Sequence, residues 1–496
     1  MFDILIDAAG LVADPYVLLV VLFSAMYGLF MGAVPGLSAT MAVALLVPVT
    51  FFMPPVPAIA AMVTATAMAI FSGDIPGCLL RIPGTPSSAA YVDEAHAMTV
   101  KGEAGMALGA GLIFSALGGL FGTLVLIFFA PVLAEFALDF STYEYFWLVL
   151  LGLTCAIFIA SESPLKGFVS LLIGLFVTTI GMNNPGGYPR FTFGSGDLLG
   201  GLSLIPIMVG MFAVSEVLRY AISSAKGFER VGSNVGPIFK GVVGLMFKYP
   251  MSILRGSSLG VLVGALPGAG ADIAAYISYG LAKKFSKEPE KFGTGHVEGI
   301  VEASSANNAS LGGAWIPALV FGIPGDSITA IVIGVLYMKN LNPGPTIFMV
   351  NPVPLYAIFL IFILANLLML PLGYAAIRLA RTVLSVPRNI LMPIILLFCL
   401  VGSYSIQNSF FDVGVTLAFG LIAYLMEENG FPLAPTILGI ILGGMLESNL
   451  VSSLIKSDGH LIAFFDRPIA GTLGVITLAI WIVPLVLRLI RSRKTA

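Results

Sequence analysis

The sequence predicts an all-α polytopic membrane protein: about 12 transmembrane helices plus re-entrant Pro-Gly hairpins, arranged as two structural repeats. Three observations carry that prediction. The first is composition. Of 496 residues, 58% are hydrophobic and only 10% are charged, and mean hydropathy is +1.01, against the roughly 25% charge of soluble domains. The second is length, because apolar runs able to cross a hydrocarbon core of about 30 Å recur along the whole chain. The third is duplication. The text Gly28-x-x-x-Gly32-Ala33-x-Pro35-Gly36-x-x-Ala39 returns as Gly260-x-x-x-Gly264-Ala265-x-Pro267-Gly268-x-x-Ala271. Ile75-Pro76 followed by Ile82-Pro83-Gly84 likewise returns as Ile316-Pro317 followed by Ile323-Pro324-Gly325. Pro-Gly breaks at matching points of two membrane halves free backbone groups that lipid cannot satisfy, so the breaks must line a polar cavity.

Taken in order, apolar runs fall near 16–34, 37–53, 56–71, 105–130, 145–160, 165–181, 198–217, 256–282, 310–338, 353–380, 389–406, 409–426, 432–446 and 469–490. Some must be half-helices or hairpins. Residues 1–218 read as a first membrane repeat, 219–255 as a basic cytoplasmic linker, and 256–496 as a second repeat with C-terminal helices. No Lys or Arg precedes Arg81, while Asp3, Asp7 and Asp14 crowd the start. A secretory signal needs a basic leading region, so the first apolar run is expected to stay in the mature protein. Arg219, Lys226, Arg230, Lys240, Lys248 and Arg255 in 219–255, set against Glu229 alone, mark a cytoplasmic loop by the positive-inside rule. Lys283, Lys284, Lys287 and Lys291 mark another, and Arg488, Arg491, Arg493 and Lys494 a cytoplasmic tail. The run 256–282 lies between two cytoplasmic loops, so it cannot cross once. Broken at Pro267-Gly268, it reads as a hairpin returning to the side it left, and 16–53, broken at Pro35-Gly36, should share that shape.

The composition also excludes function classes. A net charge of -2 suits no polyanion, so no nucleic-acid partner is expected. Cys78, Cys155 and Cys399 sit singly in apolar text and read as packing residues. His96, His296 and His460 lie in polar stretches, and no zinc-protease or nucleotide-binding motif occurs. An intramembrane enzyme therefore lacks a nucleophile–base pair or metal ligands at depth. A passive anion channel is the nearer rival, but it calls for a ring of like groups, and the two repeats differ in their polar residues.

Four polar stretches inside apolar text concentrate the candidate substrate-binding residues. They supply Gly36 and Ser38; Arg81, Gly84, Thr85, Ser87 and Ser88; Asn307 and Asn308; and Gly325, Asp326, Ser327 and Thr329, with Gly268 from the second hairpin. Helix N-termini exposed at such breaks offer free amides and a positive dipole end to carboxylates. Carbonyls and neutral side-chain oxygens suit Na⁺, placed near Pro35, Gly36, Pro267, Gly268 and Asn307, with H⁺ as the alternative because Asp326 can carry a proton. No other cofactor is expected. Serines and glycines at helix contacts also serve close packing alone. Arg81 and Asp326 fall in nearly equivalent places of the two repeats. Arg81 can hold a carboxylate through two parallel hydrogen bonds, or it can lock onto Asp74, Asp93 or Asp326. Asp93, Glu94 and His96 read as a solvated loop, His296 and His460 as exposed, Glu298 and Glu302 as a loop-facing helix start, and Asn183–Pro189 as a turn cluster outside the membrane.

These stretches also carry a resemblance. The chain closely resembles the large membrane subunit of tripartite tricarboxylate transporters, the TctA family. The matching text is Gly32-Ala33-Val34-Pro35-Gly36-Leu37-Ser38, Ile82-Pro83-Gly84-Thr85-Pro86-Ser87-Ser88-Ala89-Ala90, Leu266-Pro267-Gly268-Ala269-Gly270-Ala271, Ala306-Asn307-Asn308-Ala309 and Asn342-Pro343-Gly344-Pro345. Phe431-Pro432-x-Ala434-Pro435, Leu438-Gly439, Glu447-Ser448-Asn449-Leu450 and Arg467-Pro468-Ile469 continue it. The resemblance implies a multi-pass permease of the bacterial inner membrane that works with a small membrane subunit and a soluble extracytoplasmic binding protein. It implies ion-driven symport of organic carboxylates of the tri- or dicarboxylate class, and no enzymatic activity. The chain departs from the family pattern at Ser72-Gly73-Asp74 and Arg81, at Ala303-Ser304-Ser305, and at Asp326, which leaves room for a substrate other than citrate.

Overall fold

Residues 2–159, 163–182, 184–222, 235–384 and 386–494 are described in the computed structural model. Among them the only β feature is one isolated bridge, Gly181 to Arg190. Among the described residues, nine helices are long and apolar enough to cross a membrane. Shorter apolar helices accompany them at Ala39–Phe51, Pro164–Thr178, Ser327–Met338 and Pro468–Val483. This is a polytopic helical membrane protein.

The chain forms two compact units. The larger comprises Met1–Ala134 and Ile205–Leu425. After an N-terminal helix over Phe2–Val12 come α1 (Pro15–Ala33), α2 (Ala39–Phe51), α3 (Pro55–Ser72) and α4 (Asp74–Leu80), then a 3-10 turn over Ser87–Tyr91, α5 (Val92–Val100) and α6 (Ala104–Ala137). It continues with α7 (Pro250–Gly264), α8 (Gly270–Phe285), α9 (Val297–Phe321), α10 (Ser327–Met338), α11 (Pro352–Arg378) and α12 (Arg388–Gln407). Helix α3 is mostly apolar on every face and is buried from Val56 to Ser72, as a helix hydrophobic all round must be.

Both predicted hairpins form. Ser252 on α7 and Ser286 just beyond α8 donate to the same carboxylate, Glu298, at 3.0 and 2.6 Å, so α7 and α8 start and finish at one end. In the first hairpin the Tyr27 hydroxyl on α1 reaches across to the Ala42 carbonyl on α2 at 3.0 Å. Each leading arm lies along a long helix through the glycines of the duplicated text. A side chain on Gly28 or Gly32 would strike the backbone of Ala65 or Ala69 on α3; one on Gly260 or Gly264 would strike Ala306 or Ser310 on α9. Small residues permit this backbone-to-backbone seam, which is how helices associate tightly without a hydrophobic driving force.

The halves also exchange contacts reciprocally. Helix α2 packs on α10 of the other half, and α8 packs on the Ser87–Tyr91 turn. Helix α11 packs on α3, while Gly118 and Gly122 of α6 seat on Ser305 and Ala309 of α9. The duplication in the sequence is therefore a duplication of packing.

Several local expectations are corrected. The apolar run 310–338 is two helices, because Gly322 at φ 69° ends α9 in the left-handed conformation and α10 begins only at Ser327. Arg255 is not a loop cation; it sits on α7 and forms an ion pair with Glu302, whose side chain is fully buried. Glu302 is thus a paired interior group and Glu298 a hub for two serines, not a loop-facing start. Glu94 is no solvated residue either. It is buried and accepts from the Tyr279 hydroxyl at 2.8 Å and from the amides of Gly293, Gly295 and His296. His296 is buried with it. Lys226, Glu229, Arg230 and Asn183 lie outside the described residues.

The smaller unit comprises Glu135–Leu204 and Met426–Ala496. Thr142–Ile159 and Pro164–Thr178 pack on Leu433–Lys456, and Pro468–Lys494 packs on Thr142–Ile159. Arg467 donates to the buried Glu144 at 2.6 Å, and Arg190 to Glu447 at 2.8 Å.

Candidate functional site

The four breaks of the larger unit are built on two templates. In the hairpin tips, Gly36 and Gly268 take φ of 87° and 83°, a turn open to glycine at no steric cost. After the first tip Ser38 caps α2, its Oγ accepting the Met41 amide at 3.1 Å. Gly36 is exposed and Ser38 and Thr40 are half-buried, so this tip opens to solvent-accessible space. The second tip is tied down, with the Gly268 amide donating to the Gly325 carbonyl at 2.9 Å.

The Ile-Pro-Gly breaks match residue for residue. Ile82 aligned on Ile323 places Arg81 on Gly322, Thr85 on Asp326 and Ser88 on Thr329. Arg81 and Gly322 both have positive φ, 58° and 69°. Their amides return to Gly77 and Ala318 at 3.0 and 3.1 Å, closing the same helix end. Gly84 and Gly325 then seat on the carbonyls of Gly32 and Gly264, where any side chain would part the hairpin from the break. Next comes a reciprocal cap. In the first repeat the Thr85 amide donates to Ser88 Oγ at 3.3 Å and the Ser88 amide to Thr85 Oγ1 at 3.4 Å. In the second the Asp326 amide donates to Thr329 Oγ1 at 3.0 Å and the Thr329 amide to Asp326 Oδ1 at 2.7 Å.

That alignment separates the two charges that the sequence paired. Asp326 stands where the other repeat has a threonine and caps α10. Arg81 stands where the other repeat has a glycine, and its side chain leaves the interior: it is 64% exposed and pairs with Asp93 at 2.8 Å. Of the partners considered for it, Asp93 is the one it meets.

The structure gathers the other predicted residues. Helices α2 and α10 pack side by side with their C-terminal ends together, where Lys339 Nζ donates to the Phe51 carbonyl at 2.8 Å. This brings the caps Ser38 and Asp326–Ser327 to one end. Position Gly270, starting α8, lies against Asp326 Cβ. Helix α8 packs on the Ser87–Tyr91 turn, so the first repeat's break joins them. Four helix starts born at the four breaks thus face one region. Ser38 and Ser327 are half-buried there, whereas Gly84, Thr85, Ser87, Ser88 and Thr329 are buried behind them. Beside it, α9 presents Asn307 and Asn308, both buried. Asn308 Nδ2 donates to the Ala67 carbonyl on α3 at 3.2 Å, and Asn307 Nδ2 meets Tyr91 Oη at 3.4 Å. The double asparagine therefore bridges the two repeats. The amide oxygens of both find no donor among the described residues.

Two residues escaped the sequence reading. Asp272 is exposed at the second tip and its carboxylate faces Asp326; the repeat alignment, which sets it opposite Thr40, was the available signal. Arg388, starting α12, lays its guanidinium over the first tip, with Nη1 2.9 Å from where a Gly36 Cβ would stand. Nothing in the local text marks it, because α12 is more than three hundred residues from Gly36.

The chain matches the model of the tripartite tricarboxylate transporter TctA family over residues 18–438. It belongs to this family. It is also 34% identical, over 94% of its own length and 92% of the relative's, to an uncharacterized 52.8 kDa protein of the TAR-I ttuC' 3' region of Agrobacterium vitis. A second uncharacterized protein, from the TAR-II ttuC' 3' region of the same organism, is 36% identical over 43% of this chain and 88% of its own length. No solved structure matches. A TctA-family chain is the membrane component of a transporter, not an enzyme, which sets aside the intramembrane-enzyme alternative.

Proposed function

We propose that this chain is the large permease subunit of a binding-protein-dependent tripartite system in a bacterial inner membrane, importing small organic carboxylates of the di- or tricarboxylate class by symport with Na⁺. Family membership supports the small membrane subunit and the soluble extracytoplasmic binding protein as partners. The observation that carries the substrate class is the meeting of four break-born helix starts beside Asn307 and Asn308. Free amides and positive dipole ends directed to one region favour a multiply charged carboxylate over a neutral solute. Ser38 and Ser327 supply hydroxyl donors, and the Arg388 guanidinium lies over the first tip, whereas the Arg81 side chain points away from it.

Uptake of labelled di- and tricarboxylates by cells carrying the three subunits tests this reading. R388A is expected to lower uptake at least tenfold, the worth of one charge-assisted pair of about 1.4 kcal/mol or more, while R81A retains it. Equal loss in both variants, or uptake of neutral sugars in preference to carboxylates, would reverse the assignment.

A further inference from the structure

The buried carboxyl of Asp74 is used neither by the helix starts nor by any ion pair found among the described residues. It opens α4 at the Gly73 break and is 5% exposed. Its Oδ1 accepts the Tyr91 hydroxyl at 2.6 Å, while Oδ2 has no donor among the described residues. Gly111 of α6 faces that oxygen, and a Cβ there would lie 3.0 Å from Oδ2. One turn further along α6 is Ser115, buried, whose Oγ also lacks a partner. One turn further again, Gly118 rests on the Ser305 carbonyl, next to Asn307. Asn307 turns its Nδ2 to Tyr91 and leaves Oδ1 without a donor. The corner between α4, α6 and α9 thus holds a carboxylate oxygen, an amide oxygen and a hydroxyl, all buried acceptors without donors.

An acceptor left alone in the interior is costly, and an ionised carboxylate far more so. A proton on Asp74 would satisfy Oδ2 and, by donating, at most one neighbouring acceptor. A cation with five or six oxygen ligands satisfies them together.

We propose that Asp74, with Asn307 Oδ1, Ser115 Oγ and the hydroxyl of Tyr91, forms the Na⁺ site of the transport cycle. The assignment rests on the coupled-transport reading above and gives the ion a place outside the hairpin tips. It also gives the ion a route to the substrate. Asn307 is shared between the Na⁺ ligands and the bridge to the substrate region, and Tyr91 ends the Ser87–Tyr91 turn, on which α8 of the second hairpin packs. Ion occupancy therefore fixes the first break in place for the substrate.

The test is a Na⁺ titration of the purified full chain in lipid nanodiscs, with K⁺ keeping ionic strength constant and thermal unfolding as the readout. Wild type is expected to gain stability with Na⁺ and not with K⁺. D74N should lose at least tenfold in apparent Na⁺ affinity, S115A should lose several-fold, and D93N on the surface should match wild type. A D74N protein that keeps the wild-type Na⁺ response would overturn the assignment, as would a wild type that responds to pH and never to Na⁺. Because this readout needs no substrate, Na⁺ binding that survives alongside absent carboxylate uptake would refute the transport reading and leave the ion site standing.

Discussion

Replacing Gly264 by alanine tests the seam that positions the second hairpin. A Cβ on Gly264 would overlap the Ser310 carbonyl oxygen and come within 2.9 Å of the carbonyl carbon and Cα behind it. All three are backbone atoms of a buried helix and cannot turn aside, so α7 must lift off α9 by about 1 Å to reach ordinary contact. A gap of that size forfeits about a quarter to a half of the dispersion energy across it, and overpacking of this kind costs about 1–3 kcal/mol. Gly280 on α8 is the internal control: it is exposed, and nothing lies within 4 Å of its Cβ position. Alanine there should be neutral or stabilise by up to about 1 kcal/mol through helix propensity. Thermal unfolding of both purified variants reads the contrast. If G264A were as stable as wild type, or G280A equally destabilised, the backbone seam would not be what holds the hairpin.

Removing the Glu94 side chain should cost more than 3 kcal/mol in chemical unfolding, since E94A leaves three backbone amides and the Tyr279 hydroxyl without their acceptor, each worth about 1–3 kcal/mol. D93A, which breaks only the exposed pair with Arg81, should cost less than about 1 kcal/mol. N307A is expected to abolish uptake while the protein still inserts and folds, judged by surface labelling and size-exclusion profile; full activity would remove the centre of the site.

Much of this was legible in the chain because duplication is a pattern that does not depend on three-dimensional neighbours. The Gly-x-x-x-Gly and Pro-Gly text marked the arms and tips of both hairpins, and the Lys-rich flanks of 256–282 argued for a return to one side. Break geometry was legible only in part. Aligning Ile82 on Ile323 already sets Arg81 on Gly322, but the preference of that position for a left-handed backbone shows only once the helix end is built, and with it the reason the Arg81 side chain points away. Glu94 read as solvated because its neighbours Asp93, His96 and Lys101 are polar. Its four donors come from about two hundred residues away, beyond any local rule. Arg388 and Asp272 escaped for the same reason, each given its place by a partner from another part of the chain.

The central claim is that this chain couples an ion gradient to uphill carboxylate movement through the region between its breaks. The most direct measurement is flux in proteoliposomes holding the full tripartite system, with a labelled di- or tricarboxylate outside and the Na⁺ gradient imposed, reversed or abolished. The account predicts accumulation above the external concentration when Na⁺ is directed inward and no net uptake when the gradient is abolished. Strictly downhill flux that ignores the Na⁺ gradient would contradict it and mark a passive channel instead.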